Sequence, residues 1–146
     1  MTYLLEHQIA HYAEEACLSL YAAVANGEKY LTNTNAGGVG YTPMFEACGQ
    51  PTEKHEWVIT ADCDGKGFYR ITSKADGRYL NEYADFGTNP YAPDWNTYLI
   101  LVKDNKYSIQ TTQNSGIHFW NINTDRLSQD KNITRSQSYV IEIIKK

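Results

Sequence analysis

The stretch FYRITSKADGRYLNE, residues 68–82, decides the fold, because its plan occurs twice more in the chain. Tyr69 and Ile71 alternate with polar neighbours, as a half-buried strand requires. Asp76-Gly77 then supplies the positive φ of a tight hairpin turn. After the turn an aromatic precedes a large apolar residue, Tyr79-Leu80. CLSLYAAVANGEKYLTN (17–33) repeats the plan with Leu18/Leu20, Asn26-Gly27 and Tyr30-Leu31. KYSIQTTQNSGIHFWNI (106–122) repeats it with Tyr107/Ile109, Asn114-Ser115-Gly116 and Phe119-Trp120.

A second motif interleaves with the first. HEWVIT (55–60), NTYLIL (96–101) and QSYVIEI (137–143) each place an aromatic two residues after a polar one and just before two aliphatics. The aromatics Trp57, Tyr98 and Tyr139 are 41 residues apart in each case. A fixed period of this length marks a repeat architecture. The boundaries are 14–62, 63–103 and 104–146, with about four short strands expected in each. Three repeats are too few for a propeller, which needs at least about four blades. The last strand should instead lie beside the first and close the sheet, removing its exposed edges.

Composition agrees with an all-β chain. Twelve tyrosines stand against four phenylalanines, and Tyr suits half-buried sheet and contact surfaces. The 146 residues suffice for one domain with its own core. The net charge of −4, spread along the chain without a basic stripe, argues against nucleic acid. No apolar run reaches the roughly 20 residues that would insert into a membrane as a helix. The N-terminal residues lack the basic and long apolar regions of a signal peptide. Residues 1–13 form a lead-in or linker outside the repeats. Leu4, Leu5, Ile9 and Tyr12 at helical spacing predict a short amphipathic helix or an ordered lead-in there. His7 and His11 would share one face of that helix, which reads as a solvated polar face rather than a metal site. Cys17, Cys48 and Cys63 form no Cys-x-x-Cys pair, so no metal or other cofactor is expected.

The repeats resemble a β-trefoil, and most closely the ricin B-chain-like lectin family, over residues 14–146. That family carries an apolar–polar pair after each glycine turn, matched here by Leu31-Thr32, Leu80-Asn81 and Trp120-Asn121. It also carries a Gln-x-Trp element, degenerate here as His55-Glu56-Trp57, Asn96-Thr97-Tyr98 and Gln137-Ser138-Tyr139. The resemblance implies a metal-independent carbohydrate-binding module whose partner is a glycan or oligosaccharide. It also implies an accessory place beside other domains of a larger secreted protein, at the cell surface or outside it; a free cytoplasmic lectin is the other reading. The alternative function is a protein-interaction trefoil, of the protease-inhibitor or cytoskeleton-binding kind.

A sugar site needs an exposed aromatic ring for the C–H face and amide or carboxylate groups for the hydroxyls. The second repeat supplies both. Asn81 stands at the family's anchoring place, and Asn89, Tyr91, Asp94, Trp95 and Asn96 follow in a loop stiffened by Pro90 and Pro93. Phe86 opens that loop as a further aromatic. Trp95 reads either as a platform or as packing, and Asn81 either as a ligand contact or as a turn residue. The third repeat offers Asn121 and Asp125, while Trp120 replaces a leucine and is expected in the core. No Gly-x-Ser-x-Gly elbow or other catalytic set is present, so the chain is not expected to be an enzyme.

Overall fold

The computed structural model describes residues 19–34, 42–62, 67–86, 97–104, 106–113, 116–131 and 141–145, with the backbone alone at 98–103. The described elements are all-β. The first repeat holds β1 (Ser19–Asn26), β2 (Lys29–Thr32), β3 (Met44–Ala47) and β4 (Glu56–Ala61), with a 3-10 turn at Glu53–His55. The second holds β5 (Tyr69–Ser73) and β6 (Thr97–Lys103). The third holds β7 (Lys106–Gln113), β8 (Gly116–Asn123), β9 (Arg126–Asp130) and β10 (Ile141–Lys145).

The turns form where the sequence permits positive φ. Gly27, at φ 62°, joins β1 to β2, and Asp104, at φ 49°, ends β6 before the hairpin to β7. The 3-10 turn is capped on both sides. Thr52 Oγ1 accepts from Lys54 N, and Thr52 N donates to His55 Nδ1. His55, standing where the lectin motif has glutamine, therefore closes a capping box.

The chain's end lies against its beginning, as the repeat pattern predicts. β10 pairs antiparallel with β1 from Ala22↔Lys145 to Ala25↔Glu142, and with β7 at Ile141↔Tyr107. Followed through β1, β2, β3, β9, β8, β7 and β10, the pairings close a seven-strand antiparallel barrel. The remaining strands β4, β5 and β6 bridge β1 to β7 by a second route, β1–β4–β5–β6–β7.

Alternation aims one face of each strand inward. Trp57, Ile59 and Ala61 of β4 are buried, as are Tyr107, Ile109 and Thr111 of β7. Leu31, Leu80 and Trp120, which hold the same place in the three repeats, all enter one apolar cluster with Trp57, Ile71, Ile141 and Ile143. Burying side chains of this size stabilises the fold by about 1.5–3 kcal/mol each.

Among the described residues the second repeat shows two strands, with a single bridge, Thr72↔Tyr79, beyond them. Its polar residues hold 79–86 by side-chain hydrogen bonds in place of a ladder. The lead-in at 1–13, including His7 and His11, lies outside the described residues.

Candidate functional site

The segment after Leu80 is a compact turn organised by one asparagine. Asn81 Oδ1 accepts from Tyr83 N at 2.8 Å and from Asp85 N at 3.3 Å. The backbone closes the same loop: Asn81 N donates to Asp85 O, and Ala84 N to Asn81 O. Asparagine suits this place because its short amide mimics a backbone carbonyl. Ala84 adopts φ 61°, a left-handed conformation that disfavours a side chain. Its methyl is fully buried in the core, which offsets part of that cost.

The turn is also tied to the barrel. Glu82 O accepts from Thr111 Oγ1 at 2.8 Å and from Gln113 Nε2 at 2.9 Å, both on β7. With Ala84 and Phe86 buried and the Glu82 carbonyl held, Tyr83 is the side chain left outward, 48% exposed. Asn81 Nδ2 and Gln113 Oε1 have no partner among the described residues. The turn thus presents an aromatic side chain on a fixed backbone, held by two amide side chains.

Phe86 lies beneath the turn rather than on its surface. Its ring stacks on Trp57 at 6.1 Å between centroids and 12° between planes. On Phe86 lies the Arg78 guanidinium, 4.2 Å from the ring centroid. Trp57 Nε1 donates to Leu31 O at 3.0 Å. Arg78 is only 4% exposed, and its charge is met inside the protein. Arg78 Nε donates to Asp76 Oδ2 at 2.8 Å, and a terminal nitrogen donates to Asn33 Oδ1 at 3.2 Å. Asn33 Nδ2 in turn donates to Ser73 Oγ and Asp76 Oδ2, each at 2.9 Å. This polar frame joins the end of β2 in the first repeat to the β5 turn in the second.

The other expected site residues fall in several places. Asn121 is 8% exposed on β8, and its Oδ1 has no partner among the described residues. Asp125 sits in the tight turn between β8 and β9, where both its carboxylate oxygens accept from Lys29 Nζ at 2.8 and 2.9 Å. That pair spans the first and third repeats at the surface. Asn89, Tyr91, Asp94, Trp95 and Asn96 lie outside the described residues. Trp120 is core, as expected.

Sequence reasoning missed Tyr83, Gln113 and the role of Arg78. The signal for Tyr83 was available: an Asx turn at Asn81 leaves the residue two positions on at its tip. Gln113 and Arg78 act across 31 and 45 residues of chain, and repeat spacing carries no such information. Elsewhere on the surface, Lys74 Nζ lies 5.2 Å from the Tyr21 ring centre and 2.9 Å from Glu56 Oε2. The hydrogen bond from Lys74 to Glu56, then their charge attraction, raises the Lys74 pKa. Among the described residues, no His, Cys, Asp and Glu side chains gather in a set of three or more that could hold a metal ion.

No family model matches the chain, and no curated protein matches it significantly.

Proposed function

We propose that this chain is a β-trefoil and that it binds carbohydrate without catalysis or metal, at the Asn81 turn of its second repeat. The trefoil reading is supported by the route β1–β4–β5–β6–β7–β10, whose ends pair to form a barrel. It is supported also by the common burial of Leu31, Leu80 and Trp120 at matching places in the repeats. In this reading the hairpins β2–β3 and β8–β9 and the segment 79–86 cap the barrel.

One observation carries the function. Tyr83 is an exposed aromatic ring on a backbone fixed by Thr111 and by Asn81 and Gln113, whose second amide atoms have no partner among the described residues. A pyranose presents an apolar C–H face to stack on such a ring and hydroxyls to meet the two amides. The backbone is held before the ligand arrives, so little ordering cost falls on binding. The loop that follows, with Asn89, Tyr91, Asp94, Trp95 and Asn96, supplies the rest of the site in this proposal. Asn121 and Asp125 are left as structural residues of the third repeat.

A glycan array probed with the wild-type protein, Tyr83→Ala and Trp95→Ala tests this. Wild-type binding should fall at least about thirtyfold in Tyr83→Ala, the loss of an aromatic hot spot. The thermal unfolding curve of Tyr83→Ala should stay close to the wild type, since Tyr83 is 48% exposed and stands outside the buried apolar cluster. A well-folded wild type that binds no glycan at high concentration contradicts the reading and leaves the protein-interaction trefoil in its place.

A further inference from the structure

We propose that Arg78 is a positioning residue for the sugar-binding turn: its guanidinium, lying over the Phe86 ring and bonded to Asn33 and Asp76, sets where the Asn81 turn and Tyr83 stand. This rests on the carbohydrate reading above for its purpose, and on geometry for its mechanism.

The geometry is a column. Trp57 is fixed at its base by the bond to Leu31 O and by its place in β4. Phe86 stacks on Trp57, and Arg78 covers Phe86. Phe86 follows Asp85, the residue whose N–H and C=O both close onto Asn81. Fixing the ring of Phe86 therefore fixes the exit of the turn. Leu80 N, bonded to Ile71 O, fixes its entry. Tyr83 lies between these two anchors, outside the buried apolar cluster.

Arginine is the side chain this place requires. A planar guanidinium can stack on a ring while its edge donates to Asp76 and Asn33 in the same plane. A lysine ammonium can meet Asp76 but cannot also form the plate. A buried pair of this kind adds little net stability compared with apolar packing of equal volume. Its expense is intelligible if the gain is a defined geometry at the surface. Asn33, in the first repeat, then acts on the same turn at one remove, through Arg78.

The test compares wild type with Arg78→Lys by amide hydrogen exchange and by titration with the best sugar from the array. In Arg78→Lys the amides of Tyr83, Ala84 and Asp85 should lose protection while those of β1 and β10 keep it. Sugar affinity should weaken by roughly 3- to 10-fold, the cost of ordering the turn at the moment of binding. Unchanged protection at Tyr83 and Asp85 overturns the proposal, and so does loss spread evenly over the barrel. If Arg78→Lys does not fold, Phe86→Leu decides in its place, since it keeps apolar volume and removes the plate. It should release the same three amides, and turn protection equal to wild type overturns the proposal. The exchange measurement needs no sugar. A wild type that binds none therefore sinks the carbohydrate reading, while the exchange result still decides whether Arg78 holds the turn.

Discussion

The β8–β9 hairpin and the segment 79–86 hold matching places in their repeats and are built on opposite plans. Each carries a large apolar residue in the core, Trp120 in one and Leu80 in the other, followed by asparagine. In the third repeat the backbone continues as a ladder, from Phe119↔Asp130 to Asn123↔Arg126. Asn121 becomes one rung among others and its carbonyl finds no partner among the described residues. In the second repeat the ladder stops at Thr72↔Tyr79, and Asn81 takes two backbone amides into its own side chain. The tip of the hairpin exposes Asn123, Thr124 and Arg126, with Ile117 exposed at the far end of β8. The turn exposes Tyr83, the kind of side chain that contributes most at binding surfaces. One anchor thus supports two peripheries. Whether the asparagine amide or the backbone ladder satisfies the chain decides what reaches solvent.

The comparison can be broken at its shared base first. Trp57→Ala removes the floor of the Arg78 column and a side chain of the common core. It should cost about 3–5 kcal/mol of unfolding free energy, measured by urea titration. A loss below about 1 kcal/mol would mean the column does not rest on the barrel.

The two asparagines sharpen the contrast. Asn81→Ala leaves the Tyr83 and Asp85 amides without their acceptor and should cost about 1–3 kcal/mol, with exchange at those amides accelerated. Asn121→Leu removes a buried carbonyl that no described residue satisfies and should change stability by less than about 1 kcal/mol, in either direction. Equal costs at the two sites would show that the ladder and the turn depend on asparagine alike.

The smallest effect lies on the outer wall, away from both regions. The Lys74 pKa is raised by Glu56, so the pair's contribution is complete below the unfolded lysine pKa. It fades as pH rises through the higher folded value. Glu56→Gln should therefore move the Lys74 titration, followed by NMR at its Cε, toward lower pH. Lys74 is solvent-exposed, and at high salt the shift should shrink.

Much of the barrel was legible in the sequence. Leu31, Leu80 and Trp120 recur after their turns because each repeat sends one large side chain into a shared core. Asn26-Gly27 and Asp76-Gly77 mark turns because glycine tolerates positive φ there, at 62° and 77°. The pairing of β10 with β1 follows from a repeat that would otherwise leave two open edges. Other features depend on partners remote in the chain, which alternation cannot name. Phe86 reads as a loop aromatic until Arg78 and Trp57 are seen to pack on its ring. His55 reads as a misplaced glutamine until its ring accepts the Thr52 amide. Asn81 satisfies the turn with its carbonyl, as the turn reading of the sequence expects.

The most direct test is an NMR titration of the labelled protein with a monosaccharide or disaccharide selected on the array. The account predicts shift changes concentrated on the Tyr83 amide and ring, the Asn81 side-chain amide and the Gln113 side-chain amide, with the β8–β9 hairpin unmoved. Shifts centred on Asn121, Asn123 or Asp125, or none at saturating sugar, would contradict it.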